Sequence, residues 1–154
     1  MIRVLFICHG NICRSPMAEF VFKDMVRKKG LEGEFVIASA ATSTEEIGNG
    51  VHYGTRNKLA QYGISVEGKR AVQLRKQDYD KYDYLIGMEQ RNITNMQRIL
   101  GQDVDKKVYR LLDFTSRPRD IADPWYTGNF DLTYEEIYEG CEQLLKFILQ
   151  SQKR

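Results

Sequence analysis

Cys8 and Arg14 stand six positions apart, enclosing His9, Gly10, Asn11, Ile12 and Cys13, and the pair Ser15-Pro16 follows at once. Those residue types suit the capture of an oxyanion and nucleophilic attack on it. A thiolate is a strong nucleophile, and a guanidinium is a planar fork that matches two oxygens of a phosphate. The run follows an apolar stretch, residues 2–7, and precedes a helical pattern, so it reads as a strand, a tight loop and a helix start. The first N–H groups of a helix lack internal partners and carry the positive end of the aligned peptide dipoles, which makes such a junction a cradle for phosphate. Loop amides, the helix end and Arg14 would all favour an ionised sulfur on Cys8. Gly10 allows the backbone to approach a ligand or to take a positive φ, and Asn11 is the type next most tolerant of a left-handed conformation. Ser15 and Pro16 read as helix N-cap and first helical residue. A lone cysteine ending a buried strand is ordinarily just a small apolar residue. The arginine, the glycine and Ser-Pro at these offsets favour the chemical reading.

A second candidate lies near the other end of the chain, in Asp123-Pro124-Trp125-Tyr126. Attack on a phosphate ester expels an alkoxide or phenoxide, a poor leaving group unless a positioned acid protonates it. Pro124 restricts Asp123 to extended backbone, and Trp125 and Tyr126 suit aromatic walls that hold a substrate ring and exclude water. Asp-Pro is also a common turn opener, so nothing local says that Asp123 meets Cys8.

Residues 4–17, and above all the spelling Gly-Asn-Ile-Cys-Arg-Ser-Pro close to the N-terminus, resemble the active-site loop of the low-molecular-weight protein tyrosine phosphatases. The resemblance extends through the chain to the Asp-Pro-aromatic-Tyr element, where the family usually has Asp-Pro-Tyr-Tyr and this chain has Trp125. It implies metal-independent, cofactor-free hydrolysis of phosphotyrosine and aryl phosphate monoesters through a cysteinyl-phosphate. In that scheme Cys8 is the nucleophile, Arg14 holds the phosphate and Asp123 is the acid. It further implies that Asn11 holds the loop conformation, that Ser15 stabilises the expelled sulfur, and that Cys13 can form a reversible disulfide with Cys8. His9, often apolar in the family, is expected to shape the pocket rim, and Gly10, Asn11, Ile12, Cys13 and Ser15 are expected to line the substrate-binding loop with it. Glu45 stands where many relatives carry an aromatic and, with Glu46, would disfavour acidic phosphopeptides. Lys69 stands where the family carries a histidine that supports the loop.

The elements that must position these groups alternate. Strands are expected at residues 2–7, 35–38, 84–88 and 108–112. Between them, Met17, Phe20, Val21 and Met25 mark a helix stopped by Gly30; residues 55–62 mark a second closed by Gly63; Ile93, Met96, Gln97 and Leu100 mark a third stopped by Gly101. Ile137, Cys141, Leu144, Leu145, Ile148 and Leu149 give a long terminal helix, which makes Cys141 a core residue. The charges of residues 76–83 read as a solvated face. This alternation predicts an α/β fold, a single-domain three-layer sandwich spanning residues 1–154. Its four-stranded parallel sheet is flanked by helices, with the phosphate-binding loop after the first strand and ligands beyond the carboxyl ends of the strands.

Composition agrees with this and excludes other classes. The 154 residues, 42% of them hydrophobic, suffice for one sizeable core. A net charge of +2 does not suggest a nucleic-acid partner. Three cysteines and two histidines form neither a paired disulfide framework nor a metal-ligand cluster, which suits a reducing cytoplasm. No run approaches about eighteen consecutive apolar residues, so neither a membrane span nor a signal peptide is expected. The expected partners are phosphotyrosine-containing proteins, with inorganic phosphate as product and inhibitor, and a monomer is the default. Two rivals remain. An arsenate reductase would use the same loop but needs further cysteines to relay a disulfide. A non-catalytic phosphate-binding module would need neither Cys8 nor Asp123.

Overall fold

The computed structural model describes residues 1–152. Four strands, β1 (Ile2–Cys8), β2 (Phe35–Ala41), β3 (Tyr84–Gly87) and β4 (Val108–Arg110), form one sheet in the order β2-β1-β3-β4. Every pairing is parallel, and β1, in the centre, aligns Cys8 with Ala41 and Ile7 with Gly87. Six helices accompany them: α1 (Arg14–Lys28), α2 (Tyr53–Ala60), α3 (Asp78–Lys81), α4 (Gln90–Leu100), α5 (Pro124–Thr127) and α6 (Phe130–Gln152).

A central parallel strand is covered on both faces, which is why β1 reads as an unbroken apolar run. Val4, Phe6 and Cys8 join the core built with α1 and α6, where Met17, Phe22, Ile137 and Leu144 are buried. Leu5 and Ile7 face the other way, into a core with Tyr79 and Tyr82 on one side and Met96 and Leu100 of α4 on the other. This is the expected three-layer α/β arrangement. Phe6 and Phe22 meet edge to face with centroids 5.6 Å apart, tying β1 to α1. Gly140 lets α6 close on the segment after β4, since a Cβ there would lie 2.5 Å from Leu111 Cγ.

The boundaries differ from the sequence expectation at informative places. The first helix begins at Arg14, so Ser15 is already inside the first turn and is not its cap; its hydroxyl is drawn to the Cys8 sulfur instead. β2 runs on to Ala41, β3 stops at Gly87, and α2 covers Tyr53–Ala60. β4 ends at Arg110 because Leu111 and Leu112 wind into a 3₁₀ turn that buries both side chains, Leu111 against α6. Lys76, Asp80, Lys81 and Asp83 do form a solvated face, but Tyr79 on α3 and Tyr82 just after it turn inward. Gly30 and Gly101 close α1 and α4 with positive φ, as expected.

Candidate active site

β1 delivers Cys8 to the carboxyl edge of the sheet and α1 starts at Arg14, leaving five residues to reverse the chain. Asn11 makes that reversal with φ of 60°, while Gly10 does not take a positive φ. The Asn11 backbone N–H then donates to Cys8 Sγ at 3.3 Å.

The side chain of Asn11 lies beneath the loop and sets the direction of a buried network. Its Oδ1 accepts from the backbone N–H of Val72 at 3.1 Å, which fixes the orientation of the amide. Nδ2 therefore donates, to Ser15 Oγ at 2.8 Å and Ser39 Oγ at 2.9 Å. Because Ser15 Oγ accepts from Asn11, its own hydrogen is free for Cys8 Sγ, 3.0 Å away. Ser39 in turn donates to Glu19, a buried carboxylate held by Lys23 at 2.6 Å and Lys69 at 3.7 Å. Lys69 also donates to the Ser39 carbonyl at 2.9 Å, so it supports the loop from the position noted in the sequence. Burial holds its ammonium below the ordinary lysine value, with Glu19 pulling the other way.

The Arg14 side chain is only 3% exposed. Nη1 donates to Glu89 Oε2 at 2.9 Å and to the Ile121 carbonyl at 2.8 Å, while Nη2 faces Asp123 Oδ2 at 3.4 Å. Burial alone would lower its pKa, but the negative charges of Cys8, Asp123 and Glu89 outweigh burial and hold the guanidinium above its usual value. Glu89 is aimed by α4, whose first turn it caps reciprocally with Asn92. Asp123 is itself a cap: Oδ1 accepts from Trp125 N–H at 3.0 Å at the start of α5, which leaves Oδ2 toward Arg14.

These elements enclose a cleft of about 230 Å³. Cys8, Gly10, Ile12, Cys13 and Arg14 form its floor, Asp123, Trp125 and Tyr126 one side, and His9, Glu45 and Glu46 the rim. His9 Nε2 and Glu45 Oε2 pair at 2.7 Å across that rim. Asn11 and Ser15 are buried behind the loop and do not line the cleft. Cys13 is held as a neutral thiol: burial first, then the charges of Cys8, Asp123 and Glu46, push it up to about 12 against the pull of Arg14. Cys141 lies in the α6 core, where burial raises its thiol strongly. Glu89, Glu19, Ser39, Val72 and the Ile121 carbonyl were not legible as site groups. Glu89 lies 75 residues from Arg14, and only a negative residue opening a helical run hinted at it.

Residues 3–154 match the family model described as low molecular weight phosphotyrosine protein phosphatase. The chain belongs to that family. It is 47% identical to the low molecular weight protein-tyrosine-phosphatase YfkJ of Bacillus subtilis over 150 residues, 96% of each chain. It is 34% identical to PtpA of Staphylococcus epidermidis over 151 residues, 97% of this chain and 96% of the relative. The crystal structure of YfkJ superposes with a TM-score of 0.94, at 46% identity over 100% of this chain and 98% of that one. The low molecular weight protein tyrosine phosphatase of Streptococcus pyogenes follows with 0.84, at 38% identity over 95% and 92%. Family membership decides for a protein tyrosine phosphatase over the arsenate reductase and the passive phosphate binder. None of the described helices of this phosphatase is long and apolar enough to cross a membrane.

Proposed function

We propose that this protein tyrosine phosphatase works by two-step phosphoryl transfer through a phosphate ester on Cys8, with residues 1–154 acting as one catalytic domain. Supporting this is one observation above the others: Cys8 Sγ sits between the Asn11 N–H and the Ser15 hydroxyl, in a cleft whose walls also carry Arg14 and Asp123. In the first step the sulfur attacks phosphorus, the P–O bond to the phenol breaks, and Asp123 gives its proton to the departing oxygen. Arg14 and the loop amides hold the three equatorial oxygens, where charge gathers in the transition state. In the second step Asp123 takes a proton from water as it attacks phosphorus, and the sulfur leaves toward the Asn11 N–H and the Ser15 hydroxyl.

The substrates are phosphotyrosine-containing proteins, whose ring lies between Trp125 and the opposing rim. Glu45 and Glu46 make that rim acidic, with Glu45 pairing His9, so peptides with acidic residues beside the phosphotyrosine are turned over more slowly than neutral ones. Inorganic phosphate, which fits the same cradle, is both product and competitive inhibitor. No nucleic acid, membrane surface, cofactor or metal takes part, and the chain acts as a monomer. We assign it to the cytoplasm, whose reductants keep Cys8 a thiol. The reversible Cys8–Cys13 disulfide would protect the nucleophile from deeper oxidation.

The test is rapid-quench mass spectrometry with an aryl phosphate in the presence of a chelator. The expected result is phosphate trapped on Cys8, turnover undiminished by the chelator, and no turnover in Cys8→Ser. An adduct on another side chain, or activity lost to the chelator, overturns the reading.

A further inference from the structure

His52 belongs to none of the catalytic steps above, yet it touches both the phosphate loop and the α5 turn that faces it. Its backbone N–H donates to the Ile12 carbonyl in the phosphate loop at 2.9 Å. Its Nδ1 accepts the Gly54 N–H at 3.0 Å, capping α2 and leaving the ring proton on Nε2. The ring stacks on Phe130, the first residue of α6, at 5.4 Å and 14°. Its edge contact with Trp125 is at 5.6 Å and 72°. The approach of Phe130 is built in, because a Cβ on Gly54 would lie 2.2 Å from the Phe130 ring.

Trp125 is 58% exposed, so little else confines it, and α5, which carries it, is a single turn of four residues. The Trp125 N–H is also the group that orients Asp123, through Oδ1. A brace on the Trp125 ring is therefore a brace on the carboxyl two residues before it. From this arrangement we infer that His52 is a positioning residue: its ring, stacked on Tyr53 and Phe130 and in T-shaped contact with Trp125, holds the α5 turn over the phosphate loop and so keeps Asp123 in reach of the leaving-group oxygen. The inference rests on the reading of Asp123 as the acid, and it separates two jobs of one side chain. The acceptor on Nδ1 stabilises α2, and the ring serves the chemistry.

Two substitutions divide those jobs. His52→Asn puts a carbonyl oxygen where Nδ1 stands, keeping the cap and removing the ring. His52→Phe keeps the ring and removes the cap. The chain has a single tryptophan, so its emission reports on the brace alone. In His52→Asn, Trp125 fluorescence anisotropy should fall while the melting temperature stays near that of the parent. The ratio of kcat/KM for p-nitrophenyl phosphate to that for phenyl phosphate should widen about tenfold, because only the poorer leaving group needs a well-placed acid. Inhibition by inorganic phosphate, which reads the loop itself, should not change. His52→Phe should show the converse, a lower melting temperature with anisotropy and ratio retained. An unchanged anisotropy or an unchanged ratio in His52→Asn overturns the inference, as does a matching loss of phosphate inhibition. Asp123→Asn is run beside them: if it does not widen the ratio, the assignment of Asp123 as acid has failed, whatever His52 does.

Discussion

Ser15 and Glu89 act on opposite ends of the reaction, and single substitutions should separate them. The Ser15 hydroxyl is oriented toward the sulfur by Asn11, and under the proposed mechanism it would serve the step in which that sulfur is expelled. Ser15→Ala is expected to lower kcat about 10²-fold, as the loss of one donor to a developing anion does. The rapid first step should survive, seen as a burst of p-nitrophenol in stopped flow. An unchanged kcat removes Ser15 from the second step. Glu89 instead aims the guanidinium, with a bond of 2.9 Å to a side chain sealed from solvent. A hydrogen bond to a charged partner contributes about 2 kcal/mol, so Glu89→Ala should reduce kcat/KM roughly 30-fold. Phosphate inhibition should weaken in parallel, and equal phosphate inhibition in parent and variant would show that Arg14 is held well enough by Ile121 and Asp123. At the rim, Glu45→Gln should raise kcat/KM for phosphopeptides with acidic neighbours and leave p-nitrophenyl phosphate unaffected; a peptide-independent effect would mean that Glu45 acts within the cleft.

Elements carry the site by closing tightly on one another, and one such closure is α6 on the turn after β4. Gly140→Ala forces a methyl to within 2.5 Å of Leu111 Cγ, so the helix must shift or Leu111 must leave its rotamer. Urea denaturation should show a loss of about 1–3 kcal/mol, the range for an overpacked core, with an unchanged slope; a neutral result would mean that α6 has room to slide. Gly140 also marks what the chain could and could not disclose. The β1–loop–α1 unit and α6 were legible because each is specified by near neighbours: an apolar run, a Cys-to-Arg spacing, a three- and four-residue repeat. β4 is shorter than its apolar run because Leu111 has the pattern of a strand residue until α6 presents a glycine to it. Ser15 reads as a cap because its preferred local partner is a helix amide, and only the folded loop offers the Cys8 sulfur as a competitor. The partners of Arg14 come from Glu89, Ile121 and Asp123, contacts 75 to 109 positions away that no local pattern encodes. α3 was hidden for a related reason, since Tyr79 and Tyr82 are apolar only against a core contributed by β1 and α4.

For the whole molecule, the buried thiols and a partly buried phenol set the alkaline limit of stability. Cys13 is pushed up to about 12, Tyr134 likewise to about 12 with burial the main cause, and Cys141 is raised further still. The folded chain thus keeps protons that the unfolded chain gives up from the ordinary thiol value of 9.0 and phenol value of 10.0 upward. Stability is full below about pH 9 and falls as pH rises toward 12, by up to about 1.4 kcal/mol per pH unit for each buried thiol and by less for the partly exposed phenol, whose charge solvent screens. Urea midpoints at pH 8, 9.5 and 10.5 should decline, and Cys141→Ala should flatten the decline by one group; a level midpoint would show that these groups ionise without unfolding. The orientation of the groups around Cys8 is secured differently, by the peptide N–H of Val72, whose own side chain is half exposed. Selection acting on codon 72 therefore sees a main-chain donor that nineteen of the twenty amino acids supply equally. Every residue but proline keeps that donor, so the hydrogen-bond direction beneath the loop is carried by the main chain at that site and not by a side chain.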